Sequence, residues 1–200
     1  MKLFFRKIIN LAFIAFTFTS CKENFTHKDR VIVIQPFDDF TSSLSEKVLT
    51  QLKEINPKVL LRKEIAMPAN AYNAARNRYR ADSLIRYLGK YGNADTVIIG
   101  MTTKDISTAK GTVADWGVMG LAYCPGKACI VSTFRLKKEN LYDQFYKVAI
   151  HELGHTQGLK HCAKKTCFMR DAEGGNPLNE EHEFCPSCKS FLVKKGWRLN

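Results

Sequence analysis

The stretch AIHELGHTQGLKHC, residues 149–162, places histidines and a glutamate at a spacing that predicts a metal site on a helix. His151 and His155 are four residues apart, so a helix presents both imidazoles on one face. Glu152 is one position further round the helix. Its carboxylate is therefore better placed to contact a water on the metal than to bind the metal itself.

The end of the same stretch predicts a third ligand. Gly158 accepts a positive φ at little cost, so the chain can leave the helix and turn back. His161 then approaches the metal from the other side. Three neutral protein ligands with a fourth position for water are typical of a catalytic zinc site. The sequence therefore predicts a catalytic zinc on the three histidines, with Glu152 as the general base.

Four cysteines near the C-terminus predict a second metal site. One pair has four residues between its members and the other is a C-x-x-C pair, which is close to the spacing of a structural zinc site: Cys162, Cys167, Cys185 and Cys188. Residues 159–188 have few apolar side chains, and bound zinc would order them. Disulfides are the alternative in an exported chain. Cys124 and Cys129 flank a predicted turn and either form a disulfide or remain thiols.

The N-terminus predicts export from the cytoplasm. A basic start precedes an apolar segment that is too short to span a bilayer but has the length of a signal-peptide core. The sequence TSC at residues 19–21 resembles a bacterial lipobox, whose cysteine is lipidated. We expect residues 1–20 to be a signal peptide, residues 21–30 a tether, and Cys21 the lipid anchor to the membrane of the bacterial cell envelope. An ordinary secretory signal and an uncleaved anchor are the alternatives.

Apolar patterning of the mature chain predicts a single α+β domain. Two apolar runs around residues 124–127 suggest paired strands, and three shorter buried strands alternate with helices, at residues 31–34, 59–61 and 96–100. We expect irregular or partly helical structure at 68–79 and a last short helix at 191–197. The fold then comprises a mixed twisted sheet, helices and the active-site helix over residues 31–158. A small zinc-stabilised C-terminal subdomain follows over residues 159–200.

The chain is basic, with a formal net charge of +12 at pH 7 in 200 residues. Such a charge attracts anionic partners, but the lysines and arginines are spread along the sequence and form no single block. The export segment argues against nucleic acid, so we expect none. A basic zinc protein that binds anionic polymers of the envelope is an alternative function.

The complete motif is H-E-x-x-H-x-x-G-x-x-H-C-x-x-x-x-C-x-M, followed after fifteen residues by C-x-x-C. It resembles the archaemetzincin family of metzincin metallopeptidases over residues 31–195. The resemblance implies zinc on both ligand sets and a methionine turn at Met169 beneath the catalytic metal. It also implies an edge strand that binds extended peptide through main-chain hydrogen bonds. That strand would contain Gly117, Val118, Met119, Gly120, Leu121 and Ala122, for which a plain core strand is the alternative.

These observations predict a monomeric, zinc-dependent metallopeptidase with two zinc ions and a peptide or protein substrate. Glu152 would take a proton from zinc-activated water and pass it to the leaving amine. A zinc-stabilised peptide-binding module with weak or vestigial hydrolysis is the alternative, against which the intact Glu152 argues. Some metzincins steady the oxyanion with a tyrosine after the methionine turn. Here the last tyrosine is Tyr146, ahead of the motif, so that donor is unassigned.

Overall fold

A mixed sheet supports the helix that carries the histidine motif, in a computed structural model that describes residues 30–199. The predicted signal peptide, Cys21 and most of the predicted tether lie outside the described residues. The elements in chain order are β1 (Val31–Pro36), α1 (Ser42–Ile55), β2 (Val59–Leu61), β3 (Tyr72–Asn73), β4 (Arg78–Arg80), α2 (Ala81–Leu88), β5 (Thr96–Thr102), β6 (Ile106–Lys110), β7 (Val113–Val118), β8 (Gly120–Ala122), β9 (Ala128–Ser132), α3 (Leu141–Gln157) and α4 (Pro186–Val193).

The main sheet has the order β2-β1-β5-β9-β8, with β8 antiparallel to β9 and the other pairs parallel. Helices α1 and α3 pack on one face of the sheet, and Ile32 belongs to the core on that face. Helix α2 packs on the opposite face, and Val33 belongs to the core there. Because both faces are covered, β1 and β5 are apolar almost throughout. The predicted α+β class is confirmed, as are the three short strands and the antiparallel pair around residues 124–127.

A second sheet, with the order β3-β4-β6-β7, is absent from the sequence-based prediction. Residues 68–79 are partly helical, as predicted, with single 3-10 turns at Ala69–Ala71 and Ala74–Arg76, but they also include β3 and the start of β4. These strands are short and polar, so their hydrophobic pattern gives no strand signal. Ionic contacts from distant segments hold them instead. Arg78 and Arg135 both bind Asp105, and Arg80 binds Asp115.

The C-terminal segment also differs from the prediction. Its helix, α4, begins at Pro186 and ends at Val193, whereas the apolar pattern suggested 191–197. Proline is favoured at the first helical position, where its missing N–H costs nothing. Trp197, placed in the helix by the prediction, is buried beyond the helix end. No helix within residues 30–199 is long and apolar enough to cross a membrane.

Candidate functional site

Helix α3 brings the three predicted histidines together. Potential ligand atoms of His151, His155 and His161 all lie within 4.8 Å of one another, and the Nε2 atoms of His151 and His155 are 3.0 Å apart. Gly158 ends α3 with a φ of 107°, as the sequence predicted, and this turn returns His161 to the helix. Burial, with a further contribution from His155, lowers the pKa of His151 to about 3. Neutral imidazoles are the form that binds metal.

Every histidine of the set has an acceptor at Nδ1. Nδ1 of His151 lies 2.6 Å from the carbonyl oxygen of Phe168, and Nδ1 of His155 lies 2.6 Å from that of Leu159. A carbonyl oxygen can only accept, so both Nδ1 atoms carry the proton and Nε2 is left with a free lone pair. Nδ1 of His161 lies 3.2 Å from Oδ2 of Asp171. Such partners fix the orientation of metal-binding histidines, and the set therefore fits zinc with one open position.

Glu152 lies beside the histidines under the edge of the main sheet. Its side chain is 7% exposed, and burial raises the pKa of its carboxyl group to about 8. A Cβ atom at Gly120 would lie only 2.6 Å from Oε1 of Glu152. Gly120 therefore leaves the space that the carboxylate occupies, a close approach that only glycine permits.

Met169 packs against α3 at the turn between the first two histidines. Its side chain is fully buried, and a Cβ atom at Gly154 would lie 2.6 Å from its Sδ. The turn after His161 is therefore in direct packing contact with the helix that carries the other two histidines. The role of Met169 as a methionine turn beneath the catalytic metal stays a prediction of the archaemetzincin resemblance.

The four C-terminal cysteines form a second cluster. Their Sγ atoms lie within 4.8 Å of one another, and Sγ of Cys162 and Sγ of Cys185 are 3.7 Å apart. Tetrahedral zinc with bonds of about 2.3 Å to sulfur holds neighbouring sulfurs about 3.8 Å apart. Backbone amides of Met169 and Cys185 point at Sγ of Cys167. All four are free thiols in the structure, which therefore gives no support to the alternative of disulfides. The cluster fits zinc.

The strand predicted at residues 117–122 is in fact two strands. Gly117 and Val118 end β7 in the second sheet, whereas β8 contains only Gly120–Ala122 and pairs with β9 alone among the described strands. Both edges border a cavity of about 760 Å³ that also contains the three histidines and Glu152. The size is within the usual range for ligand sites. Arg135 crosses over Gly117, which has no side chain to obstruct it.

Cys124 and Cys129 are both free in the structure, so the thiol alternative holds for this pair. Cys129 is buried, whereas Cys124 is exposed at the border of the cavity. Sγ of Cys124 donates to the carbonyl oxygen of Leu159 at 3.1 Å, the same oxygen that accepts from His155.

Two acidic residues of the site were missed by sequence reasoning. Asp171 supports His161, and Glu181 is a buried carboxyl group in the cavity lining. Hydrogen bonding from the backbone N–H of Glu173 lowers the pKa of Asp171. Neither acid belongs to a recognisable motif, so no signal in the sequence distinguishes them from surface acids.

Comparison with known proteins identifies the class. The family model described as Peptidase family M54 matches residues 12–194, and the chain belongs to this family. The archaemetzincin of Haloquadratum walsbyi is 26% identical over 176 residues, covering 81% of this chain and 99% of the relative. The crystal structure of archaemetzincin from Archaeoglobus fulgidus, complexed with malonate, has 32% identity and a TM-score of 0.69, covering 80% of this chain and 98% of that one. The corresponding structure from Methanopyrus kandleri has 27% identity and a TM-score of 0.71, with coverages of 83% and 94%.

The archaemetzincin resemblance predicted from the sequence is therefore confirmed. The protein is a zinc metallopeptidase, as the motif predicted, and a peptide is its class of substrate.

Proposed function

We propose that the two ligand sets divide the work of this metallopeptidase. His151, His155 and His161 hold a catalytic zinc ion, and the four cysteines hold a structural one, so that each chain contains two zinc ions. The observation that carries this proposal is the separation of donor types into an imidazole cluster in the cavity and a thiol cluster at the C-terminal segment. Each ligand set is complete within one chain, so neither site needs a second copy of the protein, and we propose a monomer.

Glu152 acts as the general base in this proposal. When bound, zinc supplies Lewis-acid chemistry that activates water and polarises the scissile carbonyl. The positive charge of bound zinc would favour the ionised form of the buried Glu152. Its carboxylate would then accept the proton released in the attack and deliver it to the leaving amine. Its burial beside the histidines and the space left by Gly120 support this role. The Nδ1 acceptors keep the imidazoles in place through the reaction.

The free edge of β8 is proposed to align the substrate. An extended peptide can add to an exposed sheet edge through main-chain hydrogen bonds. Gly120–Ala122 border the cavity, and Gly120 is directly above Glu152. The edge of β7 extends the border at Gly117 and Val118. Met169 is proposed to support the floor of the site as the methionine turn, by its contact with α3.

The test is cleavage of a peptide library by purified protein, with and without a chelator. We expect cleavage that disappears on chelation and returns when zinc is restored. Binding of peptides without turnover by the zinc-loaded protein would favour a peptide-binding module instead. Retention of full cleavage after complete removal of zinc would contradict the proposal.

For location, we propose that residues 1–20 are removed and that Cys21 carries the lipid that anchors the protein to the bacterial envelope. The sequence around Cys21 is the support for this proposal. In the same scheme residues 31–158 and 159–200 form the two subdomains, joined at the turn after Gly158. Mass spectrometry of the mature N-terminal peptide would show an acylated Cys21. An unmodified cysteine, or an intact leader, would contradict the anchor.

A further inference from the structure

Glu181 lies in the cavity lining with no partner for its buried oxygen. The residue is 2% exposed, and its Oε2 has no hydrogen-bond partner among the described residues. A buried carboxyl group without hydrogen bonds or a paired charge is energetically costly. Such a group is a candidate for contact with a ligand.

Cations near Glu181 are already engaged elsewhere. Nζ of Lys147 lies 2.7 Å from Oδ2 of Asp143 and donates to the carbonyl oxygen of Leu178 at 3.0 Å. Arg170 forms an ion pair with Glu180 at 2.7 Å. No ion pair within 4.0 Å joins Glu181 to either cation in the part of the chain that the structure describes. Lys147 and Arg170 therefore act on the carboxyl group of Glu181 only through space, and its Oε2 has no direct partner in the described part of the chain.

The wall around Glu181 is held in place by hydrogen bonds to α3. Nε2 of Gln144 donates to Oδ1 of Asn179 at 2.9 Å, and Nδ2 of Asn176 donates to Oε1 of Gln144 at 3.1 Å. The hydrogen bond from Nζ of Lys147 to the carbonyl oxygen of Leu178 is a third connection of this kind. A wall fixed in this way is preorganised, which lowers the cost of ordering it around a ligand.

Apolar groups line the same cavity as Glu181 and the histidines. Val148 and Leu178 border the same cavity, and Val148 precedes His151 by one helical turn. The methylene stem of a long side chain can cover such surfaces while its polar end reaches a carboxylate. The lining therefore combines apolar surface with a buried carboxyl oxygen that lacks a partner.

We propose that Glu181 determines specificity by binding the cationic end of a substrate lysine or arginine side chain in this cavity. A carboxylate only accepts hydrogen bonds, and an ammonium or guanidinium group supplies both donors and the compensating charge. A neutral donor would leave the buried charge unpaired. The proposal rests on the peptidase function and on the histidine cluster as its catalytic centre.

Positional-scanning peptide libraries test this assignment with zinc-loaded wild type, Glu181→Gln and Glu139→Gln. We expect wild type to prefer Lys or Arg over norleucine at one position by at least about tenfold in kcat/KM, since charge pairs of this kind contribute strongly. Glu181→Gln should lose most of this preference. Glu139→Gln, a change of an exposed acid outside the cavity lining, should keep it. Absence of the preference in wild type, or its persistence in Glu181→Gln, would overturn the proposal.

Calorimetric titration with n-butylguanidinium separates the subsite from the catalytic function, because it needs no turnover. Binding to wild type and Glu139→Gln, with at least about tenfold weaker binding to Glu181→Gln, supports the subsite whether or not a peptide is cleaved. Equal binding by Glu181→Gln, or none by wild type, overturns it. Circular dichroism melting of each variant confirms that the proteins compared are folded.

Discussion

The backbone N–H of Cys162 donates a 2.8 Å hydrogen bond to the carbonyl oxygen of Met169. Cys162 belongs to the thiol cluster and directly follows His161, while Met169 packs against α3 at Gly154. One short segment therefore touches both proposed metal sites. We therefore expect order in the cysteine cluster to be transmitted to the third histidine through this segment.

The first prediction concerns Cys162→Ser. Replacement of one thiolate should release the structural zinc. The segment from Cys162 to Met169 should then be less ordered, and zinc binding at the histidines should weaken by about 10–100-fold, which is the usual effect of removing residues that support metal ligands. Competition titrations with a chromogenic chelator measure both sites. Cys124→Ser is the matched control, because Cys124 lies outside the thiol cluster and a serine hydroxyl can keep its donation to the carbonyl oxygen of Leu159. It should retain both metals. Loss of the structural zinc with unchanged affinity at the histidines would break the proposed link.

Gly120→Ala tests the close approach to Glu152. The new methyl group would lie 2.6 Å from Oε1 and must displace the carboxylate. A displacement of about 1 Å can cost on the order of 100-fold in rate, so kcat should fall by about 10–100-fold while zinc content is unchanged. At Gly89 a Cβ meets no atom within 4 Å, so Gly89→Ala should keep full activity. Wild-type kcat in Gly120→Ala would show that Glu152 is not positioned by this contact.

Glu152→Gln tests the general base. The amide keeps the size of the side chain but accepts protons poorly, so cleavage should fall by about 100–10,000-fold. Zinc content should remain that of wild type, because the ligands are unchanged. Glu139→Gln, on an exposed position before α3, serves as the control. Normal turnover by Glu152→Gln would remove Glu152 from the mechanism.

Stability should depend on pH through Glu181. Burial raises the pKa of Glu181 from 4.5 to about 7, with Lys147 and Arg170 opposing the rise. Between these values the unfolded chain loses the proton while the folded protein keeps it, so this contribution to stability is present below pH 4.5 and is lost as pH rises through about 7.

Glu181→Gln should therefore match wild type near pH 5 and be more stable at pH 8, by at most about 3 kcal/mol. Urea unfolding of both proteins at the two pH values measures the difference, and subtraction removes the contributions of all other groups. Glu180→Gln should gain nothing at pH 8, since hydrogen bonding to Arg170 lowers the pKa of Glu180. Equal stability of wild type and Glu181→Gln at pH 8 would show that burial of the ionised Glu181 side chain does not lower stability.

Sequence spacing predicted the parts of the site that are local in the chain. His151 and His155 share a helical face, and Gly158 supplies the turn to His161, so short-range geometry is sufficient. The second sheet was not predictable, because β4 and β6 depend on ionic contacts such as that between Arg78 and Asp105. Asp171 and Glu181 acquire their environments only when the C-terminal segment folds back on α3.

Zinc stoichiometry shows whether the two ligand sets each hold a metal ion. Metal analysis of purified wild type and of the double variant His151→Ala with His155→Ala distinguishes the two sets. We expect two zinc ions per chain in wild type and one in the double variant, with the remaining ion released only when the thiols are modified. A single zinc ion in wild type, or two in the histidine variant, would contradict it.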